Sequence, residues 1–138
     1  MIVVDTNVLS ELMKPSPNVD VSNWIASRNG NEIFITSITV SEILYGIVRL
    51  QDGRRKNLLQ ATAREIFSNF DKQILPFDRI AAEYYAQIVD SRDRLGLPIE
   101  GFDAQIAAIC RVHSATLATR NVKDFVHVGI KIVNPWKK

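Results

Sequence analysis

Four acidic stretches hold the chemistry that this sequence could perform. Asp5-Thr6-Asn7 follows a β-branched run, Glu42 lies within an apolar helical pattern, Asp103 opens an alanine-rich one, and Asn121 and Asp124 share a polar stretch near the end. Carboxylates brought to one place repel, by ~4 kcal/mol for two charges about 4 Å apart at an effective dielectric near 20. A hard divalent cation relieves that repulsion, and an all-oxygen donor set suits Mg²⁺ or Mn²⁺. Such an ion activates a water and stabilises charge developing on a phosphate. The acids therefore point to metal-assisted phosphate-ester hydrolysis, provided that they converge.

Each acid also has a plainer role open to it. Asp5 stands where a strand gives way to a helix, a standard N-cap position. A carboxylate at Asp103 interacts well with the dipole of the helix it opens, and turn chemistry accounts for Asn121 and Asp124. Glu42 is harder to dismiss, because its helix is mostly apolar; half-exposure and a pairing with Arg49 is its plainer account. Gly46 falls one turn later on the same side as Glu42. A glycine there costs about 1 kcal/mol relative to alanine, so it often marks a close approach by something else.

The elements that must position these residues alternate short apolar runs with longer helical patterns, which predicts an α/β fold on a mostly parallel sheet. Strands are expected at residues 2–4, 33–35, 73–75, 115–118 and 130–133, with helices at 9–13, 18–28, 36–50, 54–69, 79–95 and 103–113. Pro15 and Pro17 stop the first helix, Asn29-Gly30 the second, Asp52-Gly53 the third, and Gly96 with Pro98 the fifth. Helical spacing directs Val40, Ile43, Leu44, Ile47 and Leu50 inward, and likewise Leu58, Leu59, Ala63, Ile66 and Phe67. In open α/β sheets ligands sit beyond the carboxyl ends of the strands. Asp5 ends the first strand and Thr119-Arg120-Asn121 follows the fourth. If those strands are neighbours, they make one edge that Glu42 and Asp103 reach from helices.

Composition sets the outer bounds. The chain's 138 residues, 46% hydrophobic and 23% charged, fit one soluble globular domain over residues 1–138. No apolar run approaches the ~20 residues of a membrane span, and the opening lacks the basic segment of a signal peptide. Cys110 is the only cysteine, which excludes an intrachain disulfide and fits a reducing cytoplasm. His113 and His127 have no partner at zinc spacing. A net charge of +2 permits a nucleic-acid partner without arguing for one.

Read as whole segments, the same residues resemble the PIN-domain family, in its VapC/FitB type. The matching segments are Ile2-Val3-Val4-Asp5-Thr6-Asn7-Val8-Leu9-Ser10-Glu11, Ile38-Thr39-Val40-Ser41-Glu42-Ile43-Leu44-Tyr45-Gly46 and Phe102-Asp103-Ala104-Gln105-Ile106-Ala107-Ala108. Leu117-Ala118-Thr119-Arg120-Asn121-Val122-Lys123-Asp124-Phe125 and the ending Ile132-Val133-Asn134-Pro135-Trp136 complete the set, so the resemblance runs over essentially the whole chain. It implies a Rossmann-like three-layer α/β/α sandwich with a central parallel sheet, usually dimeric. It also implies an endoribonuclease toxin dependent on Mg²⁺ or Mn²⁺.

By motif, Asp5, Glu42 and Asp103 resemble the three core acids. Asp5 and Asp103 would be direct metal ligands, and Glu42 a ligand or the acceptor that orients a metal-bound water. Many relatives carry a fourth acid where this chain has Asn121; Asp124 either compensates or caps a turn. Thr6, Asn7, Thr119 and Asn121 would hold the acids by hydrogen bonds, and Arg120 and Lys123 would meet the RNA backbone. Arg54-Arg55-Lys56 reads instead as a solvated face. The resemblance further implies a VapB/FitA-like antitoxin, with operator DNA reached only through that complex. Its seat is expected on Leu9, Leu12, Trp24 and Ile25 with Leu58, Leu59 and Ile66, although an ordinary core role is the better reading of Trp24. Tyr84, Tyr85 and Ile88 are candidates for a homodimer face.

Three rival readings remain. A PIN fold serving mainly in an operator-binding complex would tolerate loss of the core acids, yet all three are here. A structure-specific DNA nuclease would want an additional DNA-gripping domain. A receiver-like phosphoacceptor would want paired acids near the start and a late strand-end lysine, and this sequence has neither.

Overall fold

The computed structural model describes residues 1–137. Alternation along the strands decides where its layers lie. Successive strand side chains point to opposite faces, so Val3 and Leu117 enter one apolar layer while Val4 and Ala118 enter the other. The strands are β1 (Ile2–Val4), β2 (Ile33–Thr36), β3 (Ile74–Leu75), β4 (Thr116–Ala118) and β5 (Lys131–Val133). All pair in parallel, in the order β3-β2-β1-β4-β5.

Helices cover both faces: α1 (Thr6–Leu12), α2 (Val19–Ala26), α3 (Ser37–Val48), α4 (Arg54–Asn69), α5 (Arg79–Arg94) and α6 (Gly101–His113). Val8, Leu9, Val21, Ile43, Ile47 and Ala63 bring α1 to α4 against one face. Ala81, Ile88 and the run from Ile106 to Cys110 bring α5 and α6 against the other. The result is the expected three-layer α/β/α sandwich. Its chain runs outward from β1 to β3, then returns to lay β4 and β5 on the other side. The switch point is the gap between the carboxyl ends of β1 and β4, where open α/β sheets hold their ligands.

Several boundaries differ from the sequence reading. Helix α1 starts at Thr6, not residue 9, because Asp5 ends the strand and caps the helix with no loop between. Helix α6 starts at Gly101, with Glu100 as its cap: the Glu100 side chain accepts the Asp103 N–H at 3.1 Å. Asp103 is therefore in the first turn and does not open the helix. Leu44 and Leu58, expected inward, are 42% and 65% exposed. Their helices pack on the sheet through one side only. Ile88, offered above as a dimer-face residue, is 1% exposed and belongs to the core. Its neighbours are also engaged within the chain, with Tyr85 edge-on to Phe77 and Tyr84 beneath the Arg111 guanidinium.

Candidate active site

The site begins with a backbone bond. The Asp5 N–H donates to the Ala118 carbonyl at 2.9 Å, extending the β1–β4 ladder by one residue and bringing the two strand ends side by side. The Asp5 side chain is then fixed from three directions. Its Oδ1 accepts the Thr6 N–H at 2.8 Å, and its Oδ2 accepts the Thr119 hydroxyl at 2.8 Å and the Asn7 amide at 3.2 Å. Asn7 also donates to Thr119 Oγ1 and accepts the Arg120 N–H, both at 3.2 Å. Asn121 joins through its backbone N–H, which donates to Thr119 Oγ1 at 3.1 Å. Asp5 thus caps α1 and occupies the switch point at once, so its two readings do not compete.

A second chain of hydroxyls holds Glu42. Thr36 ends β2 and caps α3, accepting the Thr39 N–H at 3.1 Å. Thr39 Oγ1 lies 3.0 Å from Thr6 Oγ1, which donates to Glu42 Oε1 at 2.8 Å. Glu42 is therefore held by Thr6 and not by Arg49, whose guanidinium lies over the Tyr45 ring. The space beside Gly46 is open, with no atom within 4 Å of a Cβ placed there. None of the described residues makes the close approach that the glycine suggested. What adjoins it is a cleft shared by Thr6, Glu42, Gly46 and Arg55. That places Arg55, read above as part of a solvated face, at the margin of the site.

Asp103 comes from the first turn of α6. With Glu100 and Asp124 it lines a polar cavity of about 180 Å³ that also includes Arg92. Burial raises the Asp103 carboxyl, and the charges of Asp5, Glu100, Asp124 and Glu42 add to it, holding it at about 7 against the ordinary 3.8. Burial likewise raises Asp5 and Glu42. Thr119 and Thr6, in that order, oppose the shift most at Asp5, and Thr6 opposes it at Glu42. Asp124 adds to the shift at Asp5, and Asp5 and Glu100 add to it at Glu42. The acids therefore act on one another through a single electrostatic field. The ion pairs of the described residues all lie elsewhere, at Glu11, Asp52, Glu83 and Asp90. No three carboxylates among the described residues close into a ready coordination shell. Like charges without a counter-charge hold one another apart.

Around this edge, Arg120 is exposed and its guanidinium lies 5.1 Å from the centre of the Trp136 ring. Lys123 is exposed in the short 3-10 turn Val122–Phe125 that also carries Asp124. Lys56 has a local role, donating to the Val48 carbonyl and pairing with Asp52. Glu11 is an acid outside the site: it accepts the Asn18 N–H at 2.9 Å and pairs with Lys14, closing the turn after α1. Sequence reasoning missed Glu100 and Arg92. Only the cap position two residues before a phenylalanine could have singled out Glu100, and nothing marked Arg92.

With this geometry in view, the family profile of the PIN domain matches residues 2–131. This chain belongs to the PIN-domain family. Within that family it is 38% identical to Toxin FitB of Neisseria gonorrhoeae over 137 residues, covering 99% of each chain. It is 34% identical to VapC ribonuclease Y4jK of Sinorhizobium fredii, again over 99% of each. This PIN domain superposes on the crystal structure of FitAcB from Neisseria gonorrhoeae with a TM-score of 0.94 at 37% identity, covering 100% of both chains. It also matches VapBC2 from Rickettsia felis bound to a DNA fragment from their promoter, with a TM-score of 0.82 at 26% identity over 97% of this chain and 98% of that one. The VapC/FitB type resemblance read from the sequence is therefore correct. Among the described residues, no helix is long and apolar enough to cross a membrane.

Proposed function

We propose that this PIN domain is the toxin of a toxin–antitoxin pair and an endoribonuclease dependent on Mg²⁺ or Mn²⁺. The observation that carries the reading is the group of mutually repelling acids at the β1–β4 switch point, where Asp103 is driven to about 7 with no cationic side chain among the described residues paired to any of them. An all-oxygen donor set, partly buried and without an ion pair to a cationic side chain, fits a hard divalent ion. Mg²⁺ keeps several waters and takes only one or two carboxylates, so Asp5 and Asp103 would be enough to hold it. A bound ion supplies charge stabilisation at the phosphate and lowers the pKa of water.

The chain's own residues supply the rest. Thr119, Asn7 and the Thr6 N–H fix both oxygens of Asp5. Thr6 occupies Oε1 of Glu42, leaving Oε2 to accept a proton from the attacking water and aim its oxygen at phosphorus. As that oxygen bonds to phosphorus, the bond to the ribose oxygen on the far side breaks, and the leaving oxygen takes a proton from solvent. Arg120, braced on Trp136, and Lys123 meet phosphates outside the acids, where their charge does not neutralise the site.

An antitoxin seat of suitable chemistry lies on the α1–α4 side. Leu9, Leu12, Ile25, Ile66 and Phe70 line an apolar cleft of about 560 Å³, which suits the apolar stripe of a partner helix. Leu59 instead lines the cleft beside Glu42 and Gly46. A second reading, a regulatory complex with weak catalysis, draws on relatives solved on DNA, such as FitAB bound to an IR36 DNA fragment.

Cleavage of a panel of purified RNAs, including tRNA and ribosomal fragments, separates the two. The expected outcome is cutting with Mg²⁺ or Mn²⁺ that stops with EDTA and in Asp103→Asn. A wild-type protein that binds Mn²⁺, binds operator DNA with its partner and cuts nothing would favour the regulatory reading.

A further inference from the structure

Arg92 is a charged residue that is only 5% exposed. Burying a guanidinium is costly unless it is well hydrogen-bonded, and an apolar side chain of similar volume would pack there at less cost. What Arg92 does instead is donate to three carbonyls. Nε reaches Leu97 O at 2.6 Å, and Nη1 reaches Asp124 O at 2.8 Å and Val126 O at 3.0 Å. None of its partners is a carboxylate, so its charge is not used to make an ion pair.

The two segments it joins carry different parts of the site. Leu97 lies just past the end of α5. Gly96, at φ +72°, donates to Asp93 O at 3.0 Å, and Leu97 N–H donates to Arg92 O at 2.9 Å, forming a Schellman motif. That motif is complete without the guanidinium. Three residues beyond it stands Glu100, whose carboxylate caps α6 by accepting the Asp103 N–H. Asp124 and Val126 lie on the far side, in and just after the turn following β4, where Phe125 is inserted into the core. Asp103 and Asp124 face one cavity of about 180 Å³ with Arg92 in its wall.

We propose that Arg92 is a positioning residue. Its guanidinium ties the turn at Leu97 to the backbone of Asp124 and Val126, and so fixes the separation of Asp103 and Asp124 across their shared cavity. The proposal rests on the nuclease reading for its effect on turnover, but its structural half stands without it.

The test compares wild type with Arg92→Lys and Arg92→Met, using Arg94→Lys as a control. Arg94 is an exposed neighbour paired only to Asp90. Lysine keeps the charge but cannot bridge three carbonyls as a fork does. Both Arg92 variants should exchange amide hydrogens faster in residues 97–103 and in 121–126 together. They should bind Mn²⁺ about tenfold more weakly and lose about 10- to 100-fold in kcat, the range for groups that orient ligands from behind. KM for RNA should stay within about twofold. A lowered Tm with unchanged exchange in those segments, Mn²⁺ affinity and kcat would reduce Arg92 to a stability role and overturn the proposal. If wild type cuts no RNA, the nuclease reading fails by itself, and exchange with Mn²⁺ affinity decides the role of Arg92. Faster exchange in only one of the two segments also overturns it.

Discussion

Asp103 is pulled in two directions by its surroundings. Burial and the charges of Asp5, Glu100, Asp124 and Glu42 hold it at about 7, whereas the unfolded chain releases that proton near 3.8. Between about 4 and 7 the folded state binds more protons than the unfolded one, so this group's contribution to stability is full below that window and falls as pH rises through it. In EDTA, wild-type Tm should therefore fall more between pH 4.5 and 7.5 than that of Asp103→Asn. At pH 7.5 the variant should melt higher by roughly 2–8 °C, the shift that about 1 kcal/mol gives in domains of this size range, while losing cleavage. Equal pH slopes for the two proteins would show that Asp103 does not feel the surrounding acids. Asp5→Asn provides a complementary case. It should cut RNA slower by about 10²-fold or more yet fold and bind its partner, and surviving activity with unchanged metal binding would remove Asp5 from the reaction.

At the scale of elements, the strand ends do the positioning. Thr36 is fully buried, ends β2, caps α3 and starts the hydroxyl chain to Glu42 through Thr39 and Thr6. Thr36→Val should cost about 1–2 kcal/mol in urea denaturation, as a lost N-cap does. It should also lower cleavage, because Glu42 loses its distant support; a variant with full stability would contradict this account of α3. The layers and the parallel sheet were legible because apolar periodicity is strong in each segment. The bond between Thr119 and Asp5 followed only from the family resemblance, since periodicity does not say which strands are neighbours. Element starts were less legible. A caps-first boundary such as Asp5 to Thr6 leaves no loop residues to mark it, and Glu100 looks like any loop acid until Asp103 is seen hanging from it. Leu58 was misplaced because spacing gives a helix its stripe but not the width that the neighbouring layer covers. Arg92 was invisible, since Asp90-Ser91-Arg92-Asp93-Arg94 reads as a solvated run.

For the whole molecule, the acids are a source of strain that a bound ion should relieve. Mn²⁺ at 100 times its Kd should stabilise the fold by about 2.7 kcal/mol. The gain should shrink at pH 5, where protons compete for the same oxygens. A thermal-shift series with and without Mn²⁺ at both pH values checks this, and equal gains at the two would place the ion elsewhere. The sheet order has a consequence in time as well as in space. The hydrogen bond from Thr119 to Asp5 joins residues 114 apart, and β4 is laid beside β1 only after β2 and β3 are in place along the chain. A growing chain that has not yet reached residue 116 carries Asp5 and Glu42 but lacks the strand that completes their edge. The edge that holds Asp5 therefore closes late in synthesis, whatever the order in which the other elements fold.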